Sequence, residues 1–156
     1  LPKNILNKIL EQNKNIIKRI KKEIINSEIS KVLANVVDFE VFFETEDNRL
    51  DIYIKHPDRD PSPLEMASGA EKTVSSMAIR LAFIAVSTIP RSQLFVLDEP
   101  GTSLDEERME GFTRILEIVK SVFKTVMLIS HLDSLKDSAD SIINIEKKNG
   151  YANVNC

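Results

Sequence analysis

The chain has 156 residues, enough for one compact domain with a core of its own. With 42% hydrophobic and 29% charged residues it reads as globular, and no run approaches the roughly 18 apolar residues of a membrane span. The single cysteine, Cys156, excludes an intrachain disulfide framework and a CxxC metal site, and two distant histidines argue against a zinc cluster. This thiol usage fits a reducing interior, cytoplasmic or nuclear.

The opening Leu1-Pro2-Lys3-Asn4 lacks a starting Met and a signal-peptide core, and reads as the edge of a piece cut from a longer chain. Residues 3–31 are expected to form one helix of about 43 Å. Its eight Lys/Arg against three Glu give +5, leaving −8 for the rest of a chain whose net charge is −3. Ile5, Ile9, Ile16, Ile20 and Ile24 form a stripe, with Leu6, Leu10 and Ile17 beside it. Two readings are open: the end of a coiled coil entering a globular head, or an amphipathic helix lying on the domain. The domain division placed on this basis is 1–33 for the long helix and 34–156 for the globular lobe.

Val36–Phe43 and Leu50–Lys55, joined through Asp47-Asn48, read as an antiparallel hairpin. His56–Pro63 carries three prolines and reads as a loop, with His56 an exposed residue without function. Beyond it the pattern alternates. A helix is expected over Gly69–Ser87 with Met77, Leu81 and Ile84 inward, then a strand Gln93–Leu97, a helix Asp105–Val122 and a strand Thr125–Ile129. A short helix near Leu132–Ser138, a strand Ser141–Glu146 and an edge strand Tyr151–Asn155 complete the chain. This alternation indicates an α/β fold whose sheet has a parallel core flanked by helices.

Chemistry is concentrated at strand ends. The run Leu94-Phe95-Val96-Leu97 looks like a strand buried on both faces, yet it ends in Asp98-Glu99-Pro100. Ligands of open α/β sheets bind outside such carboxyl ends, where a hydrated Mg²⁺ would neutralise the pair. Asp98 then suits the metal, and Glu99 suits a base that orients and deprotonates an attacking water, provided the chain turns at once, as Pro100 supports. The plainer reading is an acidic boundary between strand and loop. The next buried strand, Thr125–Ile129, ends at Ser130-His131, which places a polar donor on the same sheet edge. Ser68-Gly69-Ala70-Glu71 reads both as a capping box and as a helix N-terminus able to receive a phosphate, with Gly69 permitting close approach. Ser103 with Glu106 reads as a second capping box, and Asp105 stays near the phosphate site.

In this order and spacing the four elements resemble those of ABC-type ATPases. Ser68–Glu71 is similar to the signature motif, Leu94–Glu99 to the Walker B strand, Thr102–Asp105 to the D-loop and His131 to the switch histidine. Asp98 through Arg108, together with Leu135–Asp140, most resemble the SbcC/Rad-fifty DNA-repair ATPases. The match runs from about Ala67 to Glu146. The resemblance implies two heads sandwiching two ATP molecules. Ser68 would touch the γ-phosphate bound to the opposite head, Asp98 would hold Mg²⁺ mostly through water, and Glu99 would be the base. His131 would contact the γ-phosphate, Ser103, Leu104 and Asp105 would form the D-loop that communicates across the dimer, and Arg80 would couple signature-helix movement to the head. Implied partners are a second head, a nuclease of the SbcD/Mre-eleven type and DNA, with no membrane.

Ala67 and Ala70 stand where the family usually has Leu and Gly, and Gly101 is less usual and is expected to loosen the link from Glu99 to the D-loop. No GxxxxGK[ST] occurs and the chain has only four glycines, so the phosphate cradle is expected from an N-terminal P-loop half of the parent protein. Competing readings are a chromosome-structural-maintenance head, a transporter nucleotide-binding domain, and a coiled-coil interaction module with a degenerate head. The transporter reading requires a P-loop upstream in the same domain. The +5 helix could track DNA phosphates, although a Lys-rich helix is commonly just solvated.

Overall fold

Helix α1 runs from Lys3 to Leu33, an uninterrupted stretch without Gly or Pro. The computed structural model describes residues 3–46, 49–101 and 104–155. The helix stops at Asn35, whose φ of 63° is the left-handed conformation that Asn tolerates and that closes helices. Its C-terminal turns pack: Ile29 and Leu33 are buried, with Ile25 and Val32 against the same core. Ile16, Ile17, Ile20 and Ile24 remain 48–53% exposed. Over these turns the apolar stripe is about half uncovered, while Lys22 on the same stretch reaches Glu44 at 3.0 Å.

The hairpin pairs β1 (Glu40–Glu46) with β2 (Arg49–Lys55), from Glu40↔Lys55 to Glu46↔Arg49. It begins four residues later than Val36, because the segment after α1 is spent on the turn that closes the helix. The expected turn residues Asp47 and Asn48 lie outside the described residues. Val41, Phe43 and Ile54 face the core. Asn26 of α1 acts as a short extra strand against β1, donating from Nδ2 to the Phe43 carbonyl at 3.0 Å and accepting from the Phe43 N–H at 2.8 Å. The segment His56–Pro63 is not wholly a loop. Ser62–Pro63 forms β3 on the edge of β2, where a proline without an N–H is tolerated.

The second half follows the expected order with shifted ends. Helix α2 covers Gly69–Val86, β4 Leu94–Asp98, α3 Glu106–Val122 and β5 Thr125–Ile129. A 3-10 turn over Asp133–Ser138 leads to β6 (Asn144–Lys148), which starts later than Ser141, and β7 (Tyr151–Asn155). The fold is α/β, but the described strands form three separate sheets. Only β4 and β5 are parallel, in the register Leu94↔Thr125 to Asp98↔Ile129, while β6 and β7 make their own antiparallel hairpin. The core gathers the end of α1, the first hairpin, α2 and α3, with Phe112, Ile115 and Val119 fully buried and Met77 and Leu81 inward as expected.

One expectation fails in an informative way. Strand β4 is not buried on both faces. Leu97 is buried and Phe95 is half-buried, its ring 4.7 Å from that of Phe123. On the opposite face Leu94, Val96, Met127 and Ile129 are 44–49% exposed. A continuous apolar run is therefore half covered within this chain, and the second face is bare.

Candidate functional site

Beyond the last β4–β5 pair the ladder gains one more bond, from the Glu99 N–H to the Ile129 carbonyl at 2.8 Å. Glu99 itself then makes the turn, with φ of 47°. A non-glycine residue in this region costs on the order of 1 kcal/mol, and such strain concentrates at functional sites. The expected turn at Pro100 thus begins one residue earlier. Its effect is to swing the Glu99 side chain toward the end of β5, where Oε2 lies 2.8 Å from Nδ1 of His131. The pair is open to water, with side-chain exposures of 42% for Glu99 and 69% for His131. Asp98 is exposed and shares the bare face with Val96 and Leu94, two and four residues back along the strand. Among the described residues no three His, Cys, Asp or Glu side chains converge as a metal cage. One or two carboxylates suit hydrated Mg²⁺, which takes its remaining ligands from water and phosphate, and do not suit an ion held by protein alone.

Gly101 is buried, its carbonyl accepts from the Leu104 N–H at 3.1 Å, and a Cβ there would sit 2.9 Å from Leu132 and 3.3 Å from Leu135. Thr102 and Ser103 lie outside the described residues. Helix α3 starts at Glu106, and the expected box of Ser103 with Glu106 falls outside the described residues. The cap is Asp105, which accepts from the Arg108 N–H at 2.9 Å and pairs with the Arg108 guanidinium at 3.3 Å. Leu104 tucks its side chain against the core.

The start of α2 is a complete capping box. The Ser68 N–H donates to Glu71 Oε2 at 2.7 Å, and the Glu71 N–H donates to Ser68 Oγ at 3.3 Å. Ser68 and Gly69 are exposed and Ala70 is buried, so the methyl at Ala70 is absorbed by the core. The other oxygen of Glu71, Oε1, lies 3.3 Å from Nε2 of His56. Burial pushes the Glu71 carboxyl up, but the backbone and side-chain hydrogen bonds of Ser68 and the charges of His56 and Arg108 outweigh it and hold the group below its ordinary range. His56 is therefore not the free loop residue expected. It is half-buried, 5.6 Å from the Phe39 ring, and joins the end of β2 to the start of α2. Arg80 lies exposed on α2, about 18 Å along the axis from Ser68, and makes no ion pair with the described residues. The structure brings Glu99 and His131 together directly. Ser68 and Glu71 form a second centre, joined with His56 and Arg108.

Among curated proteins, the Rad50 ATPase of DNA double-strand break repair from Pyrococcus abyssi is 31% identical over 144 residues, 92% of this chain and 16% of its own length. The Rad50 ATPase of Thermoplasma acidophilum is 38% identical over 93 residues, 58% of this chain and 10% of its length. The chain is a C-terminal half-head of the Rad50/SMC family.

An uncharacterised protein of Acanthamoeba polyphaga mimivirus is also similar to this half-head, at 29% identity over 147 residues, 84% of this chain and 11% of that protein. The chain thus spans less than one sixth of the Rad50 relative from Thermoplasma and of the mimiviral protein, and 16% of the Pyrococcus protein. The fold agrees. The SMC head of Pyrococcus yayanosii superposes with a TM-score of 0.73 at 22% identity, covering 97% of this chain and 30% of that one. The SMC head of Thermotoga maritima does so with 0.58 at 25%, covering 85% and 45%. No protein-family model matches the half-head. No described helix is long and apolar enough to cross a membrane. His56 and Arg108 escaped the sequence reading. For Arg108 the Asp105-x-x-Arg108 spacing of a charged helix cap was a usable signal, whereas nothing local links His56 to Glu71.

Proposed function

We propose that this half-head supplies the catalytic residues of an ATP-hydrolysing head in a DNA double-strand-break repair complex, and that it hydrolyses ATP only with a P-loop half and a second head. The contact between Glu99 and His131 at the ends of two adjacent parallel strands carries this reading. Both side chains reach the same few ångströms of solvent-open space, where a water and a terminal phosphate would meet. Glu99 orients the water and takes its proton, and its strained backbone fixes the carboxylate's direction. With Nδ1 turned to Glu99, His131 keeps Nε2 for the γ-phosphate. Asp98 holds Mg²⁺ mostly through water, and Mg²⁺ when bound neutralises charge on the phosphates.

The bare apolar face supports the division of labour. Leu94, Val96, Met127 and Ile129 surround Asp98 on one surface, as expected if the P-loop half docks there and closes the site from water. Ser68 and the exposed start of α2 serve the nucleotide of the opposite head, using free N–H groups and the helix dipole. Asp105, held by Arg108, positions the D-loop, and Arg80 couples α2 to the rest of the head. The projecting stripe of α1 supports a coiled-coil partner for residues 1–33, and its basic side chains supply DNA contacts. A nuclease of the kind implied by the resemblance is the expected effector. A second reading, a chromosome-maintenance head, draws on the likeness to SMC heads, which at 22% identity extends to fold only. The test is Mg-ATP hydrolysis by this chain, by the P-loop half, and by their mixture. Activity is expected in the mixture alone, and turnover by the isolated chain would overturn the proposal.

A further inference from the structure

Glu71 is the third member of a relay that begins outside the signature segment. One carboxylate oxygen receives the Ser68 N–H at 2.7 Å and the other faces His56 Nε2 at 3.3 Å, so neither oxygen is left to drift. His56 stands at the first position after β2, and its ring is fixed by Phe39, which is buried between the end of α1 and the hairpin. Ser68 hydrogen-bonds to Glu71 and Lys72 on its own helix. Its orientation depends on a carboxylate at the end of three rotatable single bonds, a freedom that a hydrogen bond to the Ser68 backbone alone does not remove.

We infer that His56 is a positioning residue for the signature serine: by fixing Glu71 it sets the direction in which Ser68 and the first N–H groups of α2 meet an incoming phosphate. The charged groups that line the same cleft of about 650 Å³ are Glu71 on α2, Arg108 and Arg114 on α3, and Asp38 and Arg59. Arg108 is engaged by Asp105, Arg59 by Asp58 and Arg114 by Glu110, and among the described residues the side chain that faces the second oxygen of Glu71 is His56. The consequence is mechanical. Any displacement of the β2 end is transmitted to Ser68 through two contacts, so the hairpin and the adjoining foot of α1 act on the surface that binds the opposite head's nucleotide.

This inference rests on the proposed two-headed ATPase. Its test uses the full-length parent protein in a Glu99→Gln background, with ATP-induced head association read by light scattering and ATP affinity of the single head read separately. His56→Phe keeps a ring against Phe39 and removes the contact to Glu71, while His56→Gln places an amide donor where Nε2 stood. His56→Phe is expected to raise the ATP concentration needed for association about tenfold, equivalent to about 1.4 kcal/mol for the lost polar contact. Single-head ATP affinity should stay unchanged, and His56→Gln should restore association to within about threefold of the parent. Association of the Phe variant at parental ATP concentrations overturns the inference, as does equal loss in the Gln variant, or a parallel loss of single-head ATP binding. Failure of the Glu99→Gln protein itself to associate would instead remove the two-headed reading beneath it.

Discussion

Replacing Val96 by Lys should abolish docking of the P-loop half while leaving this lobe folded. Complete burial of a Val, Leu, Ile or Met side chain contributes about 1.5–3 kcal/mol. Leu94, Val96, Met127 and Ile129 are each roughly half exposed, so covering them would contribute about 3–6 kcal/mol further. Lysine at 96 forfeits its share, about 1 kcal/mol, and places an unpaired ammonium beneath the docked partner, a penalty of several kcal/mol. The sum is at least about 3 kcal/mol, or more than 100-fold in Kd, measurable by titrating one half with the other in a calorimeter. Within the lobe the same substitution points into solvent and should change stability by no more than about 1 kcal/mol. Unaltered affinity would refute the assignment of this face to the P-loop half. Unfolding of the lobe would show that the face is not free.

Glu71→Gln keeps an acceptor for the Ser68 N–H but loses the charge at the helix N-terminus, and should destabilise the start of α2 by about 0.3–1 kcal/mol at neutral pH. The folded group titrates below its ordinary 4.5, so its contribution is complete above that value and is lost as the pH falls through the lowered folded value. The wild type should therefore lose more stability than the Gln variant on acidification below about pH 4.5, by denaturant titration at several pH values. Asn26→Ala breaks both bonds to Phe43 and leaves two strand groups unpaired, a loss of about 1–3 kcal/mol that should show as faster amide exchange in β1. Ser75→Ala should act in the opposite direction. Its buried hydroxyl has no described partner, so removing it should raise the unfolding midpoint by the equivalent of about 1 kcal/mol.

What was legible in the sequence was local or periodic. The capping box of Ser68 and Glu71, the Asp98–Glu99 strand end and the matched end at His131 all lie within short windows, and their geometry follows from strand and helix periods. The β4 run misled because apolar letters record that a face is covered, not which chain covers it. Val36–Val37 misled in the opposite sense: β-branched residues suited to a strand were spent on closing α1, once Asn35 had taken the left-handed conformation. The N-cap of α3 is Asp105, an acidic side chain as well suited to that position as serine. The His56–Glu71 contact spans fifteen positions and two elements, and only the folded arrangement of the hairpin against α2 brings it into being.

The claim at the centre of this account is that Glu99 is the base of a site completed by other segments. It is tested most directly by ATP turnover and head association of the assembled protein carrying Glu99→Gln. The account predicts turnover reduced by about 100-fold or more, with ATP still bound and the two-headed form accumulating. Turnover within about threefold of the wild type would contradict it.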